Sequence, residues 1–247
     1  MTTSVTFDFS GAVVLVTGGG SGIGAATARG CAAAGATAIA VDVDPARLAD
    51  VATSSGVITR QVDVADADAV RGLVAEVVRE HGRIDAAVLA AAIQVRRHVD
   101  AISDAEWRRH LAVNLDGVFH CIREIAPVMK RQRKGAVLTF TSGLVSMGWP
   151  GASAYAASKG ALIGLTKCVA HELRPFGVRA NVLSPGLLAT PVFLDVATED
   201  EVEMYRTSVG ISAPEAVVPT VLHLISDASA SLTGAVIERR LVPASTE

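Results

Sequence analysis

The chain has 247 residues, half of them hydrophobic and 19% charged, with a formal net charge of −3. That length allows one or two domains, and the apolar share suits a large core with helices on both sides of a buried sheet. A mildly acidic chain gives no footing for nucleic acid or an anionic membrane as partner, and no apolar run approaches the length of a membrane span.

The start, Met1 to Phe9, lacks a charged segment followed by an apolar one, so no secretory leader is expected and the chain reads as cytoplasmic. Residues 12–17 predict a strand that stops at Gly18-Gly19-Gly20-Ser21-Gly22-Ile23-Gly24, after which an alanine-rich segment predicts a helix over 22–34. A helix N-terminus presents free N–H groups and a positive dipole end, and glycines let a pyrophosphate approach the backbone closely. The plain alternative is a strand-to-helix turn with no ligand. A strand over 37–42 ends at Asp42, eighteen residues after Gly24. A carboxylate there can accept hydrogen bonds from both hydroxyls of an adenosine ribose and repels a 2′-phosphate. No Arg or Lys stands within the turn or directly after Asp42, which favours NAD over NADP. Asp44 is the expected cap of a helix over 45–54, and Asp66 of one over 66–81.

Further strands are predicted at 57–62, 85–90, 136–141, 178–183 and 235–239, and further helices over 102–132, 153–175 and 214–228. This alternation implies parallel strands with right-handed crossovers. The expected fold is α/β: a single-domain Rossmann fold over 1–247, with a doubly wound parallel sheet of about seven strands and helices on both faces. Ligands of such sheets bind beyond the carboxyl ends of the strands, where the glycine turn, Asp42, Ser142 and Pro185-Gly186 all fall. The segment 191–213 breaks the rhythm with a short amphipathic stretch and acidic residues.

Tyr155 and Lys159 lie one turn apart on the same face of a predicted helix. An ammonium beside a phenol favours the phenolate, and a tyrosine that trades a proton near neutral pH suits interconversion of an alcohol and a carbonyl. Taken alone, such a pair is usually a solvated helix face. Cys31, Cys121 and Cys168 show neither metal spacing nor a disulfide framework and read as buried free thiols in a reducing compartment. The six histidines show no paired ligand spacing, so no catalytic zinc or other metal is expected.

Together these residues resemble the short-chain dehydrogenase/reductase family. Its Thr-Gly-x-x-x-Gly-x-Gly pattern falls on Thr17, Gly18, Gly22 and Gly24, and its Tyr-x-x-x-Lys on Tyr155 and Lys159, with Ser142 thirteen residues before the tyrosine. Val-Asn-Leu-x-Gly-Val-Phe (113–119) matches the stretch that carries the family's active-site asparagine, and 181–191 its Pro-Gly loop.

The resemblance implies NAD bound by Gly18, Ser21, Gly22, Ile23, Gly24, Asp42, Asp63, Val64, Ala91, Tyr155, Lys159, Pro185, Gly186, Leu188 and Thr190. It implies that Ser142 donates to the substrate oxygen and that Tyr155 exchanges the proton. Lys159 would lower the tyrosine pKa and hold the nicotinamide ribose, while Asn114 would anchor a proton-relaying water. For Asn114 the alternative is an asparagine bonded to nearby backbone. Gln94, Ser142, Leu144, Met147, Trp149, Tyr155, Leu187 and Phe193 would meet a small-molecule substrate in a mainly apolar cleft covered by 191–213; Leu188 and Phe193 could equally just pack that cover. A homodimer or homotetramer is implied, built through 102–132, 153–175 and the last strand.

Three stretches depart from the family: Leu89-Ala90-Ala91-Ala92 replaces Asn-Asn-Ala-Gly, Glu238-Arg239-Arg240-Leu241 replaces Val-Asp-Gly-Gly, and an arginine is missing before Pro214-Glu215. Leu89 is expected to pack among apolar side chains, and Ala92 to tolerate its site if the backbone there is extended. The leading function is an NAD-dependent oxidoreductase of secondary alcohols and ketones. The alternatives are a dinucleotide-binding sensor of the same fold and, last, a methyltransferase, which leaves Tyr155 and Lys159 without a role.

Overall fold

The computed structural model of the chain describes residues 5–240; residues 1–4 and 241–247, Leu241 among them, lie outside the described part. Seven parallel strands form one sheet in the order β3-β2-β1-β4-β5-β6-β7. They are β1 (Val13–Thr17), β2 (Thr37–Asp42), β3 (Val57–Gln61), β4 (Ala86–Leu89), β5 (Gly135–Phe140), β6 (Val178–Ser184) and β7 (Val236–Glu238). Every residue of β1, β4 and β5 is buried, because helices cover both faces of the sheet centre.

Three helices pack on one face: α1 (Gly22–Ala33), α2 (Pro45–Ala52) and, late in the chain, α10 (Val218–Ile225). The other face carries α3 (Ala67–His81), α5 (Gly117–Gln132) and α7 (Ser153–Leu173), with α4 (Asp104–Leu111) against α7. Leu162, Val169 and Leu173 of α7 sit in the core with Leu165 packed beside them, so that apolar stripe faces the sheet rather than a partner. The expected caps form: Asp44 accepts from the Ala46 and Arg47 N–H groups, and Asp66 from those of Asp68 and Ala69.

The expected helix over 102–132 forms from Asp104 to Gln132, with one interruption of its α-helical hydrogen bonding. A π-turn at Ala112–Asp116 separates α4 from α5 and carries Val113 and Asn114 inward, Asn114 fully buried. The segment 214–228 likewise breaks up, into 3₁₀ turns at Pro214–Val217 and Asp227–Ser229 around the shorter α10. A short helix, α6 (Leu144–Met147), follows β5. The segment 191–213 folds into α8 (Pro191–Leu194) and α9 (Glu199–Ser208). Its two feet lie side by side: the Ala189 N–H donates to Ser212 O at 2.9 Å and the Ser212 N–H to Leu187 O at 3.2 Å.

Of the thiols, Cys31 and Cys121 are buried, and burial alone pushes each up to about 12. Cys168 is exposed, against expectation, because it falls on the outer side of α7. Among the described residues no helix is long and apolar enough to cross a membrane.

Leu89 pairs with Thr17 on one side and Thr139 on the other and is fully buried among apolar side chains. An asparagine there would exchange that packing for an amide needing new partners. Leu89→Asn is therefore expected to cost about 2–4 kcal/mol. Urea unfolding checks it, and an unchanged midpoint would mean that the strand ends offer the amide good partners.

Candidate active site

The order of the sheet reverses between β2-β1 and β4, so the chain leaves β1 and β4 in opposite directions and opens a crevice at their carboxyl ends. The glycine turn fills the floor of that crevice. Gly18 has φ +66, and a Cβ on it would stand 2.8 Å from Ala91 Cα, so the turn after β1 and the strand end after β4 are in direct backbone approach. The Ala91 N–H also reaches Thr17 Oγ1 at 3.3 Å. A Cβ on Gly24 would overlap the Gly18 carbonyl, which lets α1 start directly over the turn. Ser21 caps α1 through its backbone only and no acid stands in the first turn, so the positive end of the helix is open to an anion.

Asp42 closes one end of this floor. Its carboxylate accepts from the Gly20 N–H at 3.0 Å and from the Asp44 N–H at 3.1 Å, which fixes it at the lip of the turn with lone pairs to spare. Sequence reading missed Arg47, which joins α2 five positions after Asp42 and folds back until its Cβ would stand 2.8 Å from a Cβ on Gly20. Its guanidinium pairs with Asp44 at 3.2 Å. Asp63 accepts from the Ala65 N–H at 2.9 Å and pairs with Arg109 at 3.3 Å, a contact that sequence spacing gave no sign of. Thr190, at the foot of α8, stands over Gly22: a Cβ on that glycine would lie 3.1 Å from Thr190 Cγ2.

One cleft of about 630 Å³ runs from this floor to the covering segment. All fifteen residues named above for the dinucleotide line it, as do Gln94, Ser142, Leu144, Met147, Leu187 and Phe193. Asn114 and Trp149 do not. Asn114 spends its amide elsewhere: its Oδ1 accepts from the Ile93 N–H at 2.8 Å, and its Nδ2 donates to Ile93 O at 3.0 Å and to Ser158 Oγ at 3.1 Å. Ser158 passes the link to Tyr155 O at 2.7 Å, so the asparagine ties the end of β4 to the helix of the tyrosine. Trp149 turns outward from the cleft to Glu201, at 2.9 Å. The lining carries Arg47, Arg96, Arg109, Lys159, Arg239 and Arg240 against Asp42, Asp63 and Glu238, so a chain of net negative charge presents a positive cleft.

Ser142, Tyr155 and Lys159 meet at the middle of this cleft. Ser142 leaves the end of β5 and its Oγ accepts from the Leu144 N–H at 3.2 Å at the start of α6, which lines the cleft. Lys159 Nζ lies 5.9 Å from the Tyr155 ring centroid. Lys159 is 2% exposed and has no carboxylate partner among the described residues. Burial pushes its ammonium down to about 8. Tyr155 opens onto the cleft and is only partly covered, yet the surrounding protein pushes its phenol up to about 12, with the Ser142 hydroxyl pulling the other way. The phenol is thus raised where a lowered one was expected: burial dominates, and the opposing influence is the Ser142 hydroxyl rather than Lys159. At neutral pH the site holds a protonated phenol beside an ammonium.

Residues 12–201 match the family model described as short chain dehydrogenase. The 3-oxoacyl-acyl-carrier-protein reductase FabG of Thermotoga maritima is 36% identical over 234 residues, 92% of this chain and 95% of that one. The short-chain reductase protein NovJ of Streptomyces niveus is 39% identical over 181 residues, 70% of this chain and 69% of that one. Among solved structures, levodione reductase superposes with a TM-score of 0.88 at 28% identity over 94% of this chain and 97% of that one. NAD⁺-bound xylitol dehydrogenase gives 0.87 at 28% identity over 94% and 98%. The 3-ketoacyl-acyl-carrier-protein reductase of Brucella melitensis complexed with NADH gives 0.88 at 25% identity over 94% and 98%.

The buried ammonium has a measurable cost. Between pH 8 and 10.5 the unfolded chain holds a proton on Lys159 that the folded one has released, so stability rises with pH through that window. Lys159→Met is accordingly expected to be more stable than the parent at pH 7, by up to about 3 kcal/mol, with the gap closing by about pH 10. Urea unfolding without ligand at the two pH values checks it. A gap that does not depend on pH would mean that the ammonium is well solvated in the fold.

Proposed function

The chain belongs to the short-chain dehydrogenase family, and from that premise we propose that it interconverts a small-molecule secondary alcohol and ketone with NAD(H) as the redox partner. The observation that carries this reading is the meeting of Ser142, Tyr155 and Lys159 in the same cleft as the glycine turn and Asp42. A nicotinamide bound there would supply the acceptor or donor of the hydride. The residues fit such a group: the open start of α1 and the Gly18–Ala91 approach suit a pyrophosphate, and Asp42 at the lip of the turn suits a ribose diol. In this reading Ser142 donates to the substrate oxygen. Tyr155 gives its proton to that oxygen as a carbonyl is reduced, and takes it back as an alcohol is oxidised.

Lys159 supplies positive charge beside Tyr155 as the phenol loses its proton, and would hold the ribose of a bound nicotinamide. Asn114 acts by holding Ile93 and Ser158 in place. The solved complexes of xylitol dehydrogenase with NAD⁺ and of the Brucella reductase with NADH support the choice of cofactor. Arg47 beside Asp42 favours a second reading, in which the same site also accepts a 2′-phosphate once the guanidinium leaves Asp44. The reading includes a homo-oligomer, dimer or tetramer, formed through α5, α7 and the outer strand β7.

A panel of secondary alcohols and ketones with NAD(H) and NADP(H), followed by absorbance of the reduced nicotinamide, tests the activity; binding without turnover across the panel would leave a sensor. Tyr155→Phe keeps the ring but not the exchangeable proton, so turnover should fall by about 10²–10⁴-fold with NADH binding retained. Near-parental turnover would remove Tyr155 from the chemistry.

Asp42→Ala should weaken NADH by roughly tenfold or more, through lost ribose hydrogen bonds, and strengthen NADPH relative to it. Calorimetry on both nucleotides reads this. Tighter binding of NADPH than NADH by the parent chain would hand the site to Arg47.

A further inference from the structure

The covering segment is held down by one carboxylate. Glu201, in the first turn of α9, accepts from Arg96 at 2.6 Å on one oxygen and from Trp149 Nε1 at 2.9 Å on the other. Arg96 stands on the loop after β4 and Trp149 on the loop after β5, the two walls of the cleft above Tyr155. Those walls also join directly, through the Arg97 N–H and Gly151 O at 3.0 Å. One turn further along α9, Tyr205 is buried between Trp149 and Phe193, with ring centroids 5.5 Å and 5.9 Å away. The Arg96–Glu201 pair is mostly covered, its side chains 17% and 19% exposed. Burial pushes the Glu201 carboxyl up, but the Thr198 N–H, Arg96 and Trp149 donors outweigh it and hold the group below the ordinary carboxylate range.

We infer that Glu201 is a positioning residue that clasps the cover to both cleft walls and so restricts the enzyme to compact substrates. This rests on the reading of the cleft as a substrate site. Elsewhere the cover meets solvent with apolar side chains, Leu194, Met204 and Val209 each more than two-fifths exposed, and its feet are joined to each other, to the Pro-Gly loop region and, at Ser212 Oγ, to Arg239. Freed from Arg96 and Trp149, α9 keeps its aromatic contact at Tyr205 but loses its polar attachment to the walls. An extended substrate needs that freedom, because its far end must leave between α9 and one wall. A compact one gains from closure, which excludes water from Tyr155.

The clasp can be tested without any substrate, because the chain has two tryptophans and Trp107 lies apart on α4. In a Trp107→Phe background Trp149 is the sole reporter. Glu201→Gln keeps the Thr198 capping box and the helix start while removing the charge that Arg96 pairs with. Acrylamide quenching of Trp149 is expected to rise at least about twofold and its emission to move to the red, since a charge-assisted bond is lost. Arg96→Met should do the same, and the double variant should add little to either.

With a ketone that the panel identifies as a substrate, Glu201→Gln should raise KM on the order of tenfold for a compact compound, with NADH binding unchanged. The preference for compact over extended ketones should narrow by a similar factor. Unchanged quenching in both single variants, or fully additive effects, overturns the clasp whether or not turnover exists. Altered quenching with an unaltered size preference overturns the claim about substrates. Absence of turnover in the parent chain strikes the proposed function and leaves the fluorescence result to decide the clasp.

Discussion

The parallel alignment of β1 with β4 is the constraint on which the site depends. Val14 to Thr17 pair in register with Ala86 to Leu89, so the glycine turn and the Ala90–Ala92 segment leave the sheet at the same level. Their backbones then come so close that nothing larger than hydrogen fits on Gly18. From that contact α1 departs over one face, the loop bearing Gln94 and Arg96 departs over the other side of the crevice, and the floor between them is left to a ligand. A register slip of one residue would bury the turn or lift it away from Ala91, and with it Asp42 and Thr190 would lose their common target.

This explains how the chain tolerates its departures from the family pattern. Leu89 contributes apolar packing in the sheet centre, where its neighbours are Thr17 and Thr139 across the strands and the core of the α3–α5–α7 face. Asn114 ties the end of β4 to α7, gripping both the N–H and the C=O of Ile93 and then Ser158. Ala92 lies at negative φ, since Arg133 is the one non-glycine at positive φ among the described residues, so its Cβ meets no backbone penalty. At the other end of the sheet, Arg239 stands where the family pattern has aspartate and is used rather than merely accommodated. Its guanidinium donates to Pro185 O and to Ser212 Oγ, each at 3.2 Å, pinning the Pro-Gly loop to the returning foot of the cover.

The alternation of strands and helices, the glycine turn, the caps at Asp44 and Asp66 and the convergence of Ser142 with Tyr155 and Lys159 were legible because each follows from short-range pattern or from which residues follow a strand. The π-turn at Ala112–Asp116 was not, since its composition is that of an ordinary helix and only the pull of Ile93 and Ser158 on Asn114 gives the extra residue a purpose. Arg47 was also out of reach: it lies past a helix start, and its proximity to Gly20 arises from how α2 folds back on β2. The same holds for Arg96 and Glu201, separated by 105 positions. Trp149 was assigned to the cleft because it follows β5, but its indole N–H needs an acceptor and finds a carboxylate on the cover instead.

The electrostatics of the cleft place these pieces in one scheme. Lys159 is buried with no carboxylate beside it, an arrangement that stability alone would remove. An ammonium so buried is strained toward losing its proton, and the surrounding protein holds the phenol next to it toward keeping one. A ligand anion within reach of the ammonium would ease the first strain directly. A substrate oxygen gaining negative charge eases the second, since it offers the phenol proton a better place. In the proposed reading, an ammonium with no carboxylate beside it among the described residues is a standing demand for a cofactor and a substrate. A cover fastened to both walls keeps water from meeting that demand in their stead.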